Sequence, residues 1–145
     1  MPPGGERPRV VLDTNVLFSA FAFPAESPPS KVFRLMVDRK IEVFLSPFII
    51  GELENTLRVK AGWDEVRLRV LRRRLRLLIT LIVPTSRISA VKRIEADNRI
   101  LECAVDARAQ VLVTGNLKDI RPLGPFRGIE ILTPREFLTR YFPKP

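Results

Sequence analysis

The stretch "RVVLDTNVLFSA", residues 9–20, decides how this chain is read. Arg9–Leu12 is short and rich in branched apolar side chains, as a buried strand should be. It stops at three polar residues, Asp13, Thr14 and Asn15, and a second apolar run follows. In a parallel α/β sheet, ligands gather beyond the carboxyl ends of the strands. A carboxylate at that position either caps the next helix or faces a site.

Outward from this stretch, apolar runs alternate with helical patterns. Strands are expected at Arg9–Leu12, Ile41–Leu45, Ile79–Val83, Val111–Thr114 and Ile129–Leu132. Helices are expected at Asn15–Phe23 and Lys31–Arg39, parted by "PAESPPS", and from the Ser46-Pro47 start to about Lys60. Two more span Asp64–Leu78 and Asp97–Ala107. The last opens on "TPRE", where Thr133 caps, Pro134 begins the helix and Glu136 closes a capping box. The alternation predicts an α/β fold with a parallel sheet covered on both faces. One domain, residues 9–145, is expected behind a flexible tail, residues 1–8, with no secretory signal.

Composition then removes whole classes of chemistry. There is no histidine and a single cysteine, Cys103, so Ser-His-Asp and Cys-His nucleophiles, Cys/His zinc sites and an internal disulfide are excluded. The lone cysteine fits a reducing cytoplasm. Hydrolysis must rest on carboxylates, a lysine or a metal held by oxygen. The chain has 25 Lys+Arg against 16 Asp+Glu, a net charge of +9. That exceeds the ~2–8 usual for a small soluble domain, and it points to an anionic partner, nucleic acid first and an acidic protein second.

Four segments carry oxygen donors toward one edge of the expected sheet. Asp13 ends the first strand. Glu52, in "SPFIIGELENTL", lies six residues past Ser46, within the first turns of its helix; there it also reads as a partner of the helix dipole. Glu54 sits about 200° around that helix from Glu52. Asp97 precedes "NRILECAVDA", where it reads equally as a helix cap, with Glu102 in a supporting position and Glu95 in solvent. "VLVTGNLKDI" brings Thr114, Asn116, Lys118 and Asp119 to the end of the fourth strand. Carboxylates gathered at one edge repel unless a cation lies between them. Hard oxygen donors without His or Cys select Mg²⁺ or Mn²⁺. One such ion, or a pair about 3.5–4 Å apart, supplies the acidified water and phosphate stabilisation that histidine cannot give here.

The segments "VVLDTNVLFSA", "FLSPFIIGELENTL", "ADNRILECAVDARAQVLVTGN" and "IEILTPREFL", in this order, resemble the PIN-domain family of metal-dependent ribonucleases. The likeness is closest to the VapC-like toxin components of toxin–antitoxin pairs. It implies a three-layer α/β/α fold with about five parallel strands. It also implies that Asp13, Glu52 and Asp97 are the catalytic, metal-binding acids, supported by Asn15 and Thr114. Many members place an Asp two residues after the strand-four Thr; here that position is Asn116, with Asp119 nearby. The implied activity is cytoplasmic endoribonucleolytic hydrolysis of RNA phosphodiesters, with an acidic antitoxin and a second copy of the chain as partners and no membrane. The alternative is a PIN-like RNA- or protein-binding module weakened by Asn116. A phosphatase resembling the haloacid dehalogenases would want an Asp where Asn15 stands.

Two features lie outside this set. "DEVRLRVLRRRLRLL", residues 64–78, holds Arg67, Arg69, Arg72, Arg73, Arg74 and Arg76 among Leu and Val at helical spacing. It is either a solvated helix face or a contact for RNA or an acidic antitoxin. Leu17, Phe18, Phe21 and Phe23 read as core or as a dimer seam.

Overall fold

The computed structural model describes residues 6–22, 24–90, 95–116, 118 and 120–144. Five parallel strands form one sheet: β1 (Arg9–Leu12), β2 (Glu42–Leu45), β3 (Ile79–Leu81), β4 (Val111–Val113) and β5 (Glu130–Leu132), in the order β3-β2-β1-β4-β5. Six helices flank it: α1 (Thr14–Ala22), α2 (Pro28–Val37), α3 (Pro47–Ala61), α4 (Glu65–Leu78), α5 (Glu95–Asp106) and α6 (Pro134–Tyr141). This is the expected α/β/α arrangement. The chain builds outward from β1 to β3 on one side and then returns to lay β4 and β5 on the other. The order therefore reverses between β1 and β4, which opens a crevice at their carboxyl ends.

Local chemistry sets most helix starts. The Ser46 hydroxyl accepts from the Ile49 N–H at 3.2 Å, with Pro47 at the first helical position. The Asp64 carboxylate accepts from Arg67 N–H at 2.8 Å. Thr133 and Glu136 complete the reciprocal capping box that starts α6. At the other end of α3, Gly62 takes φ +69°, the left-handed turn that glycine tolerates without strain. Helix α2 begins at Pro28, earlier than the expected Lys31, because Ser27 caps it and both prolines fall in the first turn, where no N–H is needed.

β1, β2 and β4 are buried almost throughout. β3 is different: as an edge strand it leaves Thr80 and Leu81 exposed, so it is not the buried strand its composition suggested. Leu17 is wholly buried, and Phe18 and Phe21 pack half-buried on the core. Phe21 meets Phe33 and Trp63 edge-on, with ring centroids 5.1 and 5.5 Å away, so this aromatic face is used within the chain. Phe23 lies outside the described residues.

Helix α3, which carries Glu52, is anchored by Ile49, Leu53 and Leu57, none of them exposed. Replacing Leu53 with Ala should lower unfolding stability by about 2–5 kcal/mol. Val59→Ala, on the 72% exposed side of the same helix, should stay within about 0.5 kcal/mol. Urea unfolding of the two variants measures the contrast.

Candidate metal and nucleic-acid site

Asp13 is 2% exposed although it carries a carboxylate. Its Oδ1 accepts the Val16 N–H at 2.9 Å, which starts α1, and its Oδ2 accepts the Thr114 hydroxyl. The cap and the site position are thus one arrangement, not alternatives. Thr114, fully buried at the end of β4, also accepts the Asn116 N–H at 2.9 Å and so shapes the turn that follows.

Asp13, Glu52, Asp97 and Asn116 line a single cleft of about 240 Å³, together with Thr14, Asn15 and Thr56. Three acids far apart in sequence, from the end of β1, from α3 and from α5, therefore meet at the crevice where the strand order reverses. Each has a neutral donor beside it. The Thr14 hydroxyl donates to Glu52 Oε1 at 3.1 Å, Thr114 to Asp13, and the Asn116 amide to Asp97 Oδ2 at 3.1 Å. Three larger cavities, of about 390, 350 and 340 Å³, border α2 or α6. Glu26 lines one of them and Glu136 another, whereas three acids converge on the smaller cleft, so acid chemistry is concentrated there.

Burial pushes the Asp13 carboxyl up from 3.8 to about 6; the Thr114 hydroxyl and the Val16 N–H pull the other way, and the nearby Asp97 charge adds to the rise. A cation in the cleft would reverse this imbalance. The donor set fits a hard divalent ion, all oxygen and anionic around one cleft. Among the described residues no three carboxylates already stand close enough to enclose an ion. Thr14, Thr114 and Asn116 each hold one of these acids through a single carboxylate oxygen.

Several expectations change in detail. Asp97 lies in the first turn of α5, which begins at Glu95, and is not the residue before the helix. Glu95 is exposed but ion-paired with Arg99. Glu102 does not line the cleft: it accepts the Ile88 N–H at 3.0 Å and the Arg99 guanidinium at 2.6 Å, tying the segment before α5 to the helix. The Asn116 carbonyl oxygen accepts the Lys118 N–H at 3.2 Å, so the amide nitrogen, not a ligating oxygen, faces Asp97. Asp119 lies outside the described residues. Thr14 and Thr56 were not foreseen in the cleft, although both had a signal: Thr14 adjoins Asp13, and Thr56 lies one turn after Glu52 on the same helix face.

The arginine run of α4 divides. Arg72 pairs with Glu54, its Nε 3.0 Å from Oε2. The Arg67 guanidinium lies 3.9 Å from the centre of the Trp63 ring. Arg69, Arg73, Arg74 and Arg76 are exposed. The Cys103 thiol is buried and pushed up to about 12, far from nucleophilic at neutral pH. No described helix is long and apolar enough to cross a membrane.

The family model described as "PIN domain" matches residues 9–118, from β1 past the turn that carries Asn116. The chain belongs to the PIN-domain family. Its fold is similar to that of a chain in the crystal structure of VapBC2 from Rickettsia felis bound to a DNA fragment from their promoter. The two are 14% identical, the match covers 86% of this chain and 98% of the other, and the TM-score is 0.60. No protein of curated function matches the chain.

The Asp13 environment makes a pH prediction for the ion-free protein. A carboxyl whose folded pKa is raised binds more protons folded than unfolded. Its stability is therefore complete below about pH 4 and falls as pH rises toward 6. The shift, from 3.8 to about 6, corresponds to about 3 kcal/mol. Asp13→Asn keeps a capping side chain and removes the charge. Its stability relative to the parent should rise by up to about 3 kcal/mol between pH 4 and 7, measured by urea unfolding with chelator present. A flat difference across that range would show that Asp13 ionises freely.

Proposed function

We propose that this protein is a divalent-metal-dependent endoribonuclease that hydrolyses RNA phosphodiester bonds, and that it is the toxin half of a toxin–antitoxin pair. One observation carries the reading. In a chain of the PIN-domain family, Asp13, Glu52 and Asp97 come from three separate elements to one cleft at the switch point of the sheet. The net charge of +9 supports a polyanionic substrate. The VapBC2 complex, whose chain shares the fold, supports an antitoxin partner.

Asp13, Glu52 and Asp97 would hold Mg²⁺ or Mn²⁺, with Asn116 or Asp119 completing the set. When bound, the ion acidifies water and balances charge on the phosphate. The protein's own part is positional. Thr114 fixes the rotamer of Asp13, Thr14 steadies Glu52, and the Asn116 amide holds Asp97 until an ion replaces it. Asn15, exposed at the rim, is placed to meet the substrate backbone. Residues 9–145 act as one nuclease domain in the cytoplasm, behind the tail of residues 1–8, and the active form is a homodimer.

Asp13→Asn should reduce Mn²⁺-dependent cleavage of single-stranded RNA to background and abolish calorimetric Mn²⁺ binding, with circular dichroism unchanged. Cleavage at the parental rate would sink the assignment. Thr114→Val keeps the carboxylate but releases it, and should cost about 10–100-fold in activity or metal affinity.

A second reading is favoured by Asn116 itself: its amide neutralises no charge and already occupies Asp97. On that reading the chain is a PIN-like binding module with weakened catalysis. The two readings separate on metal. If the parent takes up Mn²⁺ at millimolar concentration and Asn116→Asp tightens it, the nuclease stands; no uptake by the parent favours the module.

A further inference from the structure

Helix α4 has two apolar faces. Leu68, Leu71 and Leu75 are buried against the core. On the opposite side, about 160–200° around the axis from Leu68, Val66, Val70 and Leu77 are 66%, 47% and 73% exposed. With Arg73 they fall at residues 66, 70, 73 and 77, the alternating four-and-three spacing of a coiled-coil seam. The positions that flank such a seam are residues 67, 69, 74 and 76, and all four are arginine.

The charges of the helix are used in a way that singles out this face. Away from the seam, Arg72 pairs with Glu54, and Glu65 pairs with Arg58 at 2.8 Å. At the seam and its flanks, Arg67, Arg69, Arg73, Arg74 and Arg76 form no ion pair among the described residues. The chain therefore pairs its charges off the seam and, among the described residues, sets no carboxylate along it; Arg67 meets the Trp63 ring.

We infer that the outer face of α4 docks an acidic amphipathic helix of another protein, packed along it as a short coiled coil. A second copy of this helix is the wrong occupant, because four flanking arginines would meet four more. RNA phosphates would engage the arginines but leave Val66, Val70 and Leu77 in water, so the apolar stripe would have no role. A helix with apolar residues on its own seam, Asp or Glu on both flanks and an acid opposite Arg73 answers every feature at once. Helix α4 spans 14 residues, about 21 Å at 1.5 Å per residue, enough for two heptads. The inference does not rest on the nuclease reading, since no cleft residue takes part.

The probe is a labelled peptide of about three heptads, Leu at both seam positions and Glu at both flanking positions. It is titrated against the full chain by fluorescence anisotropy. The peptide should bind, and the paired change Val70→Asn with Leu77→Asn should weaken it roughly tenfold or more. Both side chains are exposed, so circular dichroism should be unchanged. Arg69→Glu with Arg76→Glu should weaken it likewise, and that variant should instead bind a matching peptide with Lys on its flanks. No binding of the Glu peptide overturns the inference. So does binding that ignores Val70 and Leu77 and is displaced by a single-stranded RNA oligonucleotide, which would make this face a phosphate surface. Asp13→Asn should bind the peptide as the parent does, which separates this outcome from that of the cleavage experiments.

Discussion

A carboxylate cannot be left in the interior with either oxygen unanswered, and Asp13 is almost wholly buried. Its two oxygens are answered by different parts of the fold: one receives the Val16 N–H and so starts α1, the other receives the Thr114 hydroxyl from the end of β4. One side chain thereby joins β1, α1 and β4 at the place where the strand order reverses. The turn after β4 follows from the same pair, since Thr114 also receives the Asn116 N–H. Asn116 in turn reaches Asp97 on α5. The cleft is consequently a continuation of the hydrogen bonds that close the sheet, not an addition to a finished scaffold.

The three acids of the cleft share a device. Each is held by a neutral donor, Thr14, Thr114 or Asn116, which satisfies an oxygen without cancelling the charge. These donors leave the carboxylate charges themselves in place, inside a chain whose net charge is +9. Burial of Asp13 makes its charge costly in the absence of a cation, as its raised pKa expresses. Away from the cleft several acids are held by charge instead. Glu54, Glu65, Glu95 and Glu102 each pair with an arginine.

Much of this was legible in the residues because it depends on local rules. The strand at Arg9–Leu12 and the cap-and-proline starts at Ser46 and Thr133 rest on side chains that meet their own neighbours. The three acids could be assigned to one edge because parallel strands all present their carboxyl ends on the same side. The departures have long-range causes. Glu102 had the spacing of a residue supporting Asp97, but it meets Ile88 and Arg99, contacts that no helical period reveals. β3 had the composition of a buried strand, and only its place at the sheet edge exposes it.

The sequence by itself determined that histidine and Cys/His chemistry are excluded, since it contains no histidine and one cysteine, and it set the alternation of elements that makes a parallel sheet. The tertiary structure decided how the donors meet. Asp13 and Thr114 are 101 residues apart, and Glu52 receives its hydrogen bond from Thr14, 38 residues away. It also decided which end of the Asn116 amide faces Asp97, and which arginines of α4 are paired and which stand over an exposed apolar stripe. The physical reason is common to these cases. A residue's type is carried along the chain, but the partner that satisfies it is supplied by another element, and packing alone brings the two together.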